Sequence, residues 1–534
     1  MFHARISGVP DELPCRRTRR EWYLNALRIP ESPTAKHHVE TYGKDFSYFD
    51  FREQFAANAA NVNFEDWADL FVDIGARYAV MVTRHLDGYP LWPINIPNPH
   101  MPADYRSSRD LAGDLSAAVR SRGLKLGLYY AGGTDWTFTD EPIRRLTDLL
   151  EQGALGKEYA RYATAHWREL IDRYHPDVLW NDMGWPAEQD PHEIFAAYYN
   201  SVADGVVNDR WTQVTLPDGR LGRDLYLGFI GLAMRLMAQF HRKVPKQVQK
   251  NYFDFTTHEY DPPTEPEKST WELTRGLGNS FGYNAQETVA NLLNGPKLIR
   301  LFVDVVAEGG NLLINVGPDG EGRIPEIQQR PLRELGEWLR INGEATYSTS
   351  PWSTRAAATA DGDRVRFTQK AGAIYVVVLA DELDPHLVVK GVTLPAASHG
   401  KVMGSDISVD WSQQGNDVAF TLSPDRSRPR LRTYWPSLTD PLPDEYVRSR
   451  PHVLPRRKAG AGPQGDSSAG GSVTSFRRRF ASSYLTTSGC ETKSAGQCLT
   501  ASASRRQDRP PSPPSRRREL LVRLKLGATG TPVQ

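Results

Sequence analysis

The chain has 534 residues, more than one ordinary hydrophobic core accommodates, so we expect at least two domains. Hydrophobic residues make up 39% and aromatic residues 10% of the chain, which indicates a globular protein with a sizeable core. Cysteines occur only at positions 15, 490 and 498, which excludes a disulfide framework and a cysteine-ligated metal site between residues 16 and 489.

Charge is distributed unevenly along the chain. The formal net charge is +1, but residues 447–534 carry 17 Lys and Arg against 4 Asp and Glu, which leaves residues 1–446 with −12. A basic tail can bind nucleic acid or an anionic membrane. Residues 437–534 are also rich in Ser, Gly, Pro and Arg without a sustained apolar period, so we predict a basic, low-complexity, disordered tail and no nucleic-acid partner.

The sequence shows neither a targeting segment nor a membrane span. Residues 1–20 lack an apolar core of signal-peptide length, so a genuine start at residue 1 indicates the cytoplasm, and the compartment otherwise stays open. The longest apolar stretch, 225–240, is interrupted by Arg235 and is too short to span a bilayer. We predict that it forms an amphipathic or buried helix within an insertion at 216–250.

Amphipathic helices alternate with short apolar runs from residue 64 onward. Three helices with helical spacing of apolar residues end at Gly75, at Gly123 and at His175-Pro176. Buried strands are predicted after these helices and after later breaks, at 78–83, 124–130, 177–181, 205–210, 269–274 and 311–316.

Continuous apolar strands that alternate with helices indicate a parallel sheet in an α/β protein. More than five such units over nearly 300 residues favour a (β/α)8-like, TIM-type barrel over an open doubly wound sheet, and no G-x-G-x-x-G motif follows a strand. We assign this barrel to residues 21–345, after an atypical N-terminal segment at 1–20. After a helix at 326–341, short runs separated by turn residues predict a small antiparallel β-sandwich at 346–436.

Polar and aromatic residues follow the predicted strands of this barrel. Because the active site of such a barrel lies at the carboxyl ends of its strands, these residues are candidates for a common site: Arg84, His85, Tyr129, Asn181, Asp182, Asp209, Arg210, His258 and Glu259. Carboxylates beside aromatic rings suit sugar chemistry, since glycoside cleavage needs two carboxyl groups with different roles.

Each of these residues also has a structural interpretation. Asp182 could equally be a helix cap or turn residue, and Glu259 alone would be an ordinary loop acid. Arg210 could pair with Asp209 or with Asp182. A metal site near His85 is not favoured, because no H-E-x-x-H motif or cysteine pair accompanies it.

Eight segments together make the chain resemble α-L-fucosidases of glycoside hydrolase family 29. They are "EWYLNALR", "TRHLDGYPLW", "GLYYAGGTDW", "VLWNDMGWP", "VNDRW", "DFTTHEY", "WELTRGLGNSFGYN" and "GGNLLINVGPDG". The resemblance runs from about residue 21 to about residue 435 and implies a β/α-barrel-like catalytic domain followed by a β-sandwich. It also implies hydrolysis of terminal α-L-fucosyl residues with retention, through a covalent fucosyl-enzyme intermediate.

The resemblance implies a role for nine residues of this sequence. Asp182 matches the nucleophile and Glu259 the acid/base. Polar contacts to fucose match Glu21, His85 and Arg210, and the walls of the pocket match Trp22, Tyr129, Met183 and Phe281. The implied partner is a fucosylated glycan or fucoside; no cofactor or metal is implied, and the oligomeric state stays open.

Two departures from the family pattern support a second hypothesis. The family's first strand ends in His-Trp-Gly, which is absent here, and its two consecutive His are replaced by His85 and Leu86. The barrel is therefore expected either to have eight strands or to lack its first strand. The alternative function is that of a truncated or degenerate fucosidase relative that binds sugar weakly or is inactive.

Overall fold

The computed structural model describes residues 3–4, 22–239, 253–370, 372–380, 384–395, 399–405, 407–423 and 520–525. The chain separates into two compact units, and every described residue belongs to the unit formed by residues 1–429 and 517–534. Our predictions for Glu21, for residues 240–250 at the end of the insertion and for most of the basic tail lie outside the described residues.

Parallel strands form the first part of this unit. In the described residues they are β1 His3–Ala4, β2 Tyr78–Arg84, β3 Lys125–Ala131, β4 Val178–Asp182, β5 Val206–Val207, β6 Thr256–Glu259, β7 Trp271–Gly276 and β8 Gly310–Asn315. They pair in chain order as a sheet of β1 to β5 and a sheet of β6 to β8. A parallel bridge between Asn208 and Phe255 connects the two sheets.

Helices alternate with these strands, which confirms the predicted α/β organisation. They are α1 Tyr23–Leu27, α2 Pro33–Tyr42, α3 Phe51–Ala59, α4 Phe64–Asp73, α5 Leu111–Ser121, α6 Leu146–Gln152, α7 Gly156–Tyr174, α8 Pro191–Ser201, α9 Arg220–Gln239, α10 Gly295–Ala307 and α11 Glu326–Asn342. The predicted ends of three of these helices agree with the structure, and the backbone conformation explains why. Gly75 and Gly123 adopt φ of 78° and 75°, and His175 caps α7 with φ of 43°, so each turns the chain through the left-handed region that ends a helix.

Helix α9 occupies most of the predicted insertion. Leu227 is buried, whereas Leu221, Leu225 and Phe229 on another face are exposed, so the helix is not the buried one that we considered. Among the helices of the described residues, none combines the length and the apolar character that crossing a membrane requires.

Two predictions about individual strands were wrong. The run at 205–210 forms only the two-residue β5, because the side chain of Asn208 takes over the pairing with β4: its Oδ1 accepts from Asn181 N at 3.0 Å and its Nδ2 donates to Asn181 O at 2.8 Å. The expectation that the first strand is missing is corrected by β1, in which His3 and Ala4 pair in parallel with Val80 and Met81 of β2.

The inward-facing residues of the parallel strands share one hydrophobic cluster. Alternate residues of β2, β3 and β4 contribute to it, as strand geometry requires: Val80, Val82, Tyr129, Val178 and Trp180. Leu86 is fully buried in the same cluster. The position at which the family has a second histidine is therefore filled here by an apolar side chain that packs into the core.

Antiparallel strands form the second part of the unit, as the sequence predicted. They are β9 Ser350–Thr359, β10 Arg364–Lys370, β11 Ala373–Leu379, β12 His386–Lys390, β13 His399–Val402, β14 Ser408–Gln414, β15 Asp417–Ser423 and β16 Leu520–Lys525. The strands pair as one closed ring, in the order β10, β11, β16, β13, β14, β15, β12, β9, and the division into the two layers of a β-sandwich stays a prediction. The ring closes because the ten-residue β9 pairs with both β10 and β12.

Strand β16 comes from the tail for which we predicted disorder. It lies between β11 and β13 and pairs antiparallel with both, so the prediction does not hold for residues 520–525. The sequence there, "LLVRLK", is rich in Leu and Val, which suits a strand. We predicted disorder from the composition of the whole tail, in which this short apolar segment has little weight.

A buried ion pair joins the end of β2 to the loop after β3. Arg84 Nη2 lies 2.5 Å from Asp135 Oδ2, and both side chains are fully buried. The other oxygen of Asp135 accepts from the backbone nitrogen and the hydroxyl of Thr137, at 2.8 and 2.6 Å. This pair fixes the loop that follows β3 to the carboxyl end of β2.

Replacing Asp135 by Asn should strongly destabilise the fold. The variant keeps the shape of the side chain but leaves the Arg84 charge buried without its counter-ion, which costs about 3–5 kcal/mol. Urea denaturation gives the free energy of unfolding. Glu193→Gln is the control, because the Glu193–Arg168 pair is solvent-exposed and its loss should change that free energy little. Equal losses in the two variants would contradict a structural role for the buried pair.

Candidate active site

Asp182 is the last residue of β4 and lies on the same side of the strand as Trp180, two residues before it. Its side chain is 17% exposed. Oδ1 accepts from Arg210 Nη1 at 2.9 Å, and Oδ2 accepts from the Tyr129 hydroxyl at 2.8 Å. Both oxygens thus have a donor from a neighbouring strand or its end, which fixes the orientation of the carboxylate.

Arg210 connects Asp182 to Glu259, the last residue of β6. The same nitrogen, Nη1, that contacts Asp182 Oδ1 lies 2.6 Å from Glu259 Oε1. Two oxygens held at 2.9 and 2.6 Å from one nitrogen are at most about 5.5 Å apart, the sum of the two distances. Retaining glycosidases hold their two carboxyl groups about 5–5.5 Å apart, whereas inverting enzymes need about 6.5–9.5 Å.

The position of Arg210 is itself fixed by hydrogen bonds. Its Nε donates to Thr257 Oγ1 at 2.7 Å, and Asp209 Oδ1 accepts from both the hydroxyl and the backbone nitrogen of Thr257. Of the two partners considered from the sequence, Arg210 therefore pairs with Asp182, while Asp209 orients Thr257. Burial lowers the pKa of the Arg210 guanidinium, but Asp182 and Glu259 raise it more, so that pKa lies above its ordinary value.

Aromatic rings form a stack beside the carboxylates. His85 lies parallel to Tyr129, with ring centroids 6.0 Å apart, and Tyr129 stacks on Trp180 at 5.4 Å. The guanidinium carbon of Arg210 lies 4.9 Å from the centre of the Trp180 ring. The structure thus brings together five of the predicted residues: Asp182, Glu259, Arg210, Tyr129 and His85.

The remaining predicted residues have separate contacts. Trp22 and Met183 pack against the hydrophobic cluster that contains Tyr129, and Met183 has a left-handed φ of 63°. Phe281 contacts the ring of Tyr260, the residue after Glu259, with centroids 5.3 Å apart. The ninth residue, Glu21, lies outside the described residues.

Sequence reasoning missed a buried carboxyl group close to this network. Glu272 in β7 is 2% exposed and accepts hydrogen bonds from the side chains of Trp180 and Tyr78. The sequence "WELTRG" could have indicated this group, because it places an acidic residue between two apolar ones in a predicted buried strand. Within the described part of the chain, no three His, Cys, Asp or Glu side chains converge as metal ligands do.

Comparison with known proteins places the chain in a family. A sequence model of the family described as Alpha-L-fucosidase matches residues 3–223 and 236–344. The chain belongs to the α-L-fucosidase family. The tissue α-L-fucosidase of Bos taurus is 30% identical over 366 residues, which cover 67% of this chain and 68% of the bovine protein.

Two crystal structures of the Thermotoga maritima α-fucosidase are similar to this chain. The complex with a mechanism-based inhibitor has a TM-score of 0.66 and 38% identity, over 79% of this chain and 90% of that chain. The complex with fucose has a TM-score of 0.63 and 39% identity, over 76% and 85%. Membership of the α-L-fucosidase family makes the chain a glycoside hydrolase.

Replacing Tyr129 by Phe should slow fucoside hydrolysis by roughly 10- to 100-fold. The variant removes one donor to the Asp182 carboxylate, and a hydrogen bond to a charged group contributes about 1.5–3 kcal/mol. Tyr130→Phe is the matched control, because the next residue on β3 directs its hydroxyl to His166 instead. The measurement is kcat for an aryl α-L-fucoside. Similar losses of kcat in both variants would show that Tyr129 acts through packing alone.

Proposed function

We propose that this chain is a retaining α-L-fucosidase that removes terminal α-L-fucosyl residues from fucosylated glycans, with Asp182 as nucleophile and Glu259 as acid/base. One observation carries the assignment: a single nitrogen of Arg210 contacts both carboxylates, which keeps the two contacting oxygens within about 5.5 Å of each other, closer than the about 6.5–9.5 Å that inverting enzymes need. The complex of the Thermotoga maritima relative with a mechanism-based inhibitor supports covalent catalysis.

Two displacements at the anomeric carbon account for the reaction. In the first, an oxygen of Asp182 forms a bond to C1 of fucose, the bond from C1 to the leaving oxygen breaks, and Glu259 gives its proton to that oxygen. In the second, Glu259 takes a proton from water, the water oxygen bonds to C1, and the ester bond to Asp182 breaks. Each step inverts C1, so the product keeps the original configuration.

Glu259 has to change partners during this cycle. Its Oε1 contacts Arg210 Nη1 at 2.6 Å, whereas the first step needs the Glu259 carboxyl group beside the leaving oxygen. The Glu259 side chain is 36% exposed and can turn toward a leaving oxygen. We propose that binding of the glycan separates Glu259 from Arg210, which leaves Arg210 to stabilise Asp182 alone.

The other predicted residues suit the recognition of fucose. His85 and Arg210 offer donors for sugar hydroxyls, and we keep Glu21 as a third polar contact. Tyr129, Trp22, Met183 and Phe281 are proposed as the walls that receive the ring face and the C5 methyl group. The fucose complex of the Thermotoga maritima relative supports a pocket of this kind.

We also propose that the seven parallel strands of residues 21–345 form one (β/α)8-type barrel, completed by β1 of the N-terminal segment and followed by the antiparallel domain from residue 346. The bridge between Asn208 and Phe255 joins the two sheets at one side, and β1 lies beside β8 at the other. The hydrogen bonds of Glu272 cross the interior between them. The inactive alternative is not favoured, because the two carboxylates, Arg210 and Tyr129 form an intact network.

Asp182→Ala should abolish hydrolysis of p-nitrophenyl α-L-fucoside, and azide should restore turnover. Azide can enter the space of the lost carboxylate and attack C1, so the product should be a fucosyl azide of inverted configuration. Asp177→Asn is the control, because Asp177 directly precedes β4, at the end opposite Asp182, and accepts from the backbone nitrogen of Leu126. Circular dichroism checks folding. An unchanged rate of hydrolysis in Asp182→Ala would refute the assignment of Asp182 as the nucleophile.

Glu259→Gln should discriminate between leaving groups. A nitrophenolate leaves without a proton, so the first step should survive with p-nitrophenyl fucoside, and a burst of nitrophenol should precede slow turnover. With a fucosyl glycan, whose leaving oxygen needs the proton, hydrolysis should fall by roughly 100-fold or more. Equal losses on both substrates would assign the acid/base to another residue.

A further inference from the structure

Glu272 lies beneath the candidate active site, on the interior side of the parallel strands. Its neighbours on β7, Trp271 and Leu273, pack against Val305 of α10, so the alternation along the strand directs Glu272 to the opposite side. The residue is 2% exposed. A carboxyl group is rarely buried so completely, because leaving water disfavours its ionised form.

The carboxyl group of Glu272 joins three strands of two sheets. Its Oε2 accepts from the hydroxyl of Tyr78, the first residue of β2, at 2.6 Å. Its Oε1 accepts from Nε1 of Trp180 in β4 at 2.8 Å. The indole of Trp180 therefore cannot turn without breaking a buried hydrogen bond.

Trp180 in turn contacts both groups that donate to Asp182. Tyr129 stacks on the indole from β3, and the Arg210 guanidinium lies over the indole from the end of β5. Strand β4 lies between β3 and β5, so these contacts reach Trp180 from its two neighbouring strands. A displacement of the indole would move both donors relative to the Asp182 carboxylate.

We propose that Glu272 is a positioning residue for the reaction, which holds the indole of Trp180 in the one place where Tyr129 and Arg210 both donate to Asp182. This inference rests on the proposed role of Asp182. It also explains why an acidic residue occupies the interior, where an apolar side chain of similar volume would cost less.

The protonation state of Glu272 gives the inference a measurable consequence. Burial raises the pKa of Glu272 to about 7, against the hydrogen bonds from Tyr78 and Trp180, which lower it. Burial and the Glu272 charge raise the pKa of Tyr78 well above its usual value, so that hydroxyl keeps its proton. Within the described residues, the ionisable groups that act on Glu272 are Tyr78 and Arg210.

The direction of the pH effect follows from these contacts. Below about pH 7 the neutral acid still accepts from Trp180 through Oε1, and its own proton on Oε2 can be donated to the Tyr78 oxygen, which reverses the hydrogen bond that Tyr78 donates to the carboxylate. Above that pH the carboxylate adds a negative charge that competes with Asp182 and Glu259 for Arg210, so activity should fall as Glu272 ionises. Because its folded pKa exceeds the usual 4.5, the stability contribution of Glu272 is complete below pH 4.5 and is lost as the pH rises to about 7.

The test measures kcat and KM from pH 4.5 to 8.5 for the full chain and for Glu272→Gln, Glu272→Ala and Glu334→Gln. An amide reproduces the neutral acid, since its oxygen accepts from Trp180 and its nitrogen donates to Tyr78. We expect Glu272→Gln to lose the decline of kcat near pH 7 and Glu272→Ala to lose kcat by tenfold or more at every pH. Glu334→Gln is the control for a buried glutamate on α11 and should keep the wild-type profile.

A second readout does not depend on turnover. The indole N–H resonance of Trp180, assigned with Trp180→Phe, should shift with a midpoint near pH 7 in the wild type and not in Glu272→Gln. An unchanged kcat profile in Glu272→Gln, or an indole resonance that does not titrate in the wild type, would overturn the inference. A titrating resonance in a chain that hydrolyses no fucoside would instead refute the proposed function.

Discussion

The separation of the two carboxylates depends on one guanidinium nitrogen. Because Nη1 of Arg210 contacts both Asp182 and Glu259, the loss of one contact leaves the other carboxylate as the ion-pair partner of that guanidinium. The cation is held by the Thr257 hydroxyl and by the ring of Trp180. In the proposed mechanism, the distance between the two catalytic carboxylates is therefore limited by an arginine that follows a strand of two residues.

Strand β5 has only two residues, and its early end is what allows Arg210 to reach the two carboxylates. If β5 continued, residues 208–210 would stay in the ladder with β4 and alternate between its two sides. Instead the side chain of Asn208 satisfies both backbone groups of Asn181, so the chain can turn at a point where the neighbouring backbone is already paired. The turn brings Arg210 over Trp180 and onto the carboxylate at the end of β4.

Much of the fold and the centre of the site could be predicted from local pattern. The strands that end in Arg84, Ala131 and Asp182 follow helices with clear breaks, and the residues at the strand ends meet because parallel strands share their carboxyl edge. The partners of Glu272 could not be predicted, since they lie 92 and 194 residues away in the chain. The same holds for β16, whose place between β11 and β13 depends on pairing across a long separation.

Exposure of the ionisable groups follows the part that each would take in the reaction. Glu272 is 2% exposed; the side chains of Asp182 and Arg210, proposed to contact the sugar, are 17% and 20% exposed; and that of Glu259, the proposed acid/base, is 36% exposed. Charges buried more deeply interact more strongly and lose more when they are unpaired. The most deeply buried contacts therefore involve Glu272, and the proposed acid/base Glu259 has the most exposed side chain of the three carboxyl groups.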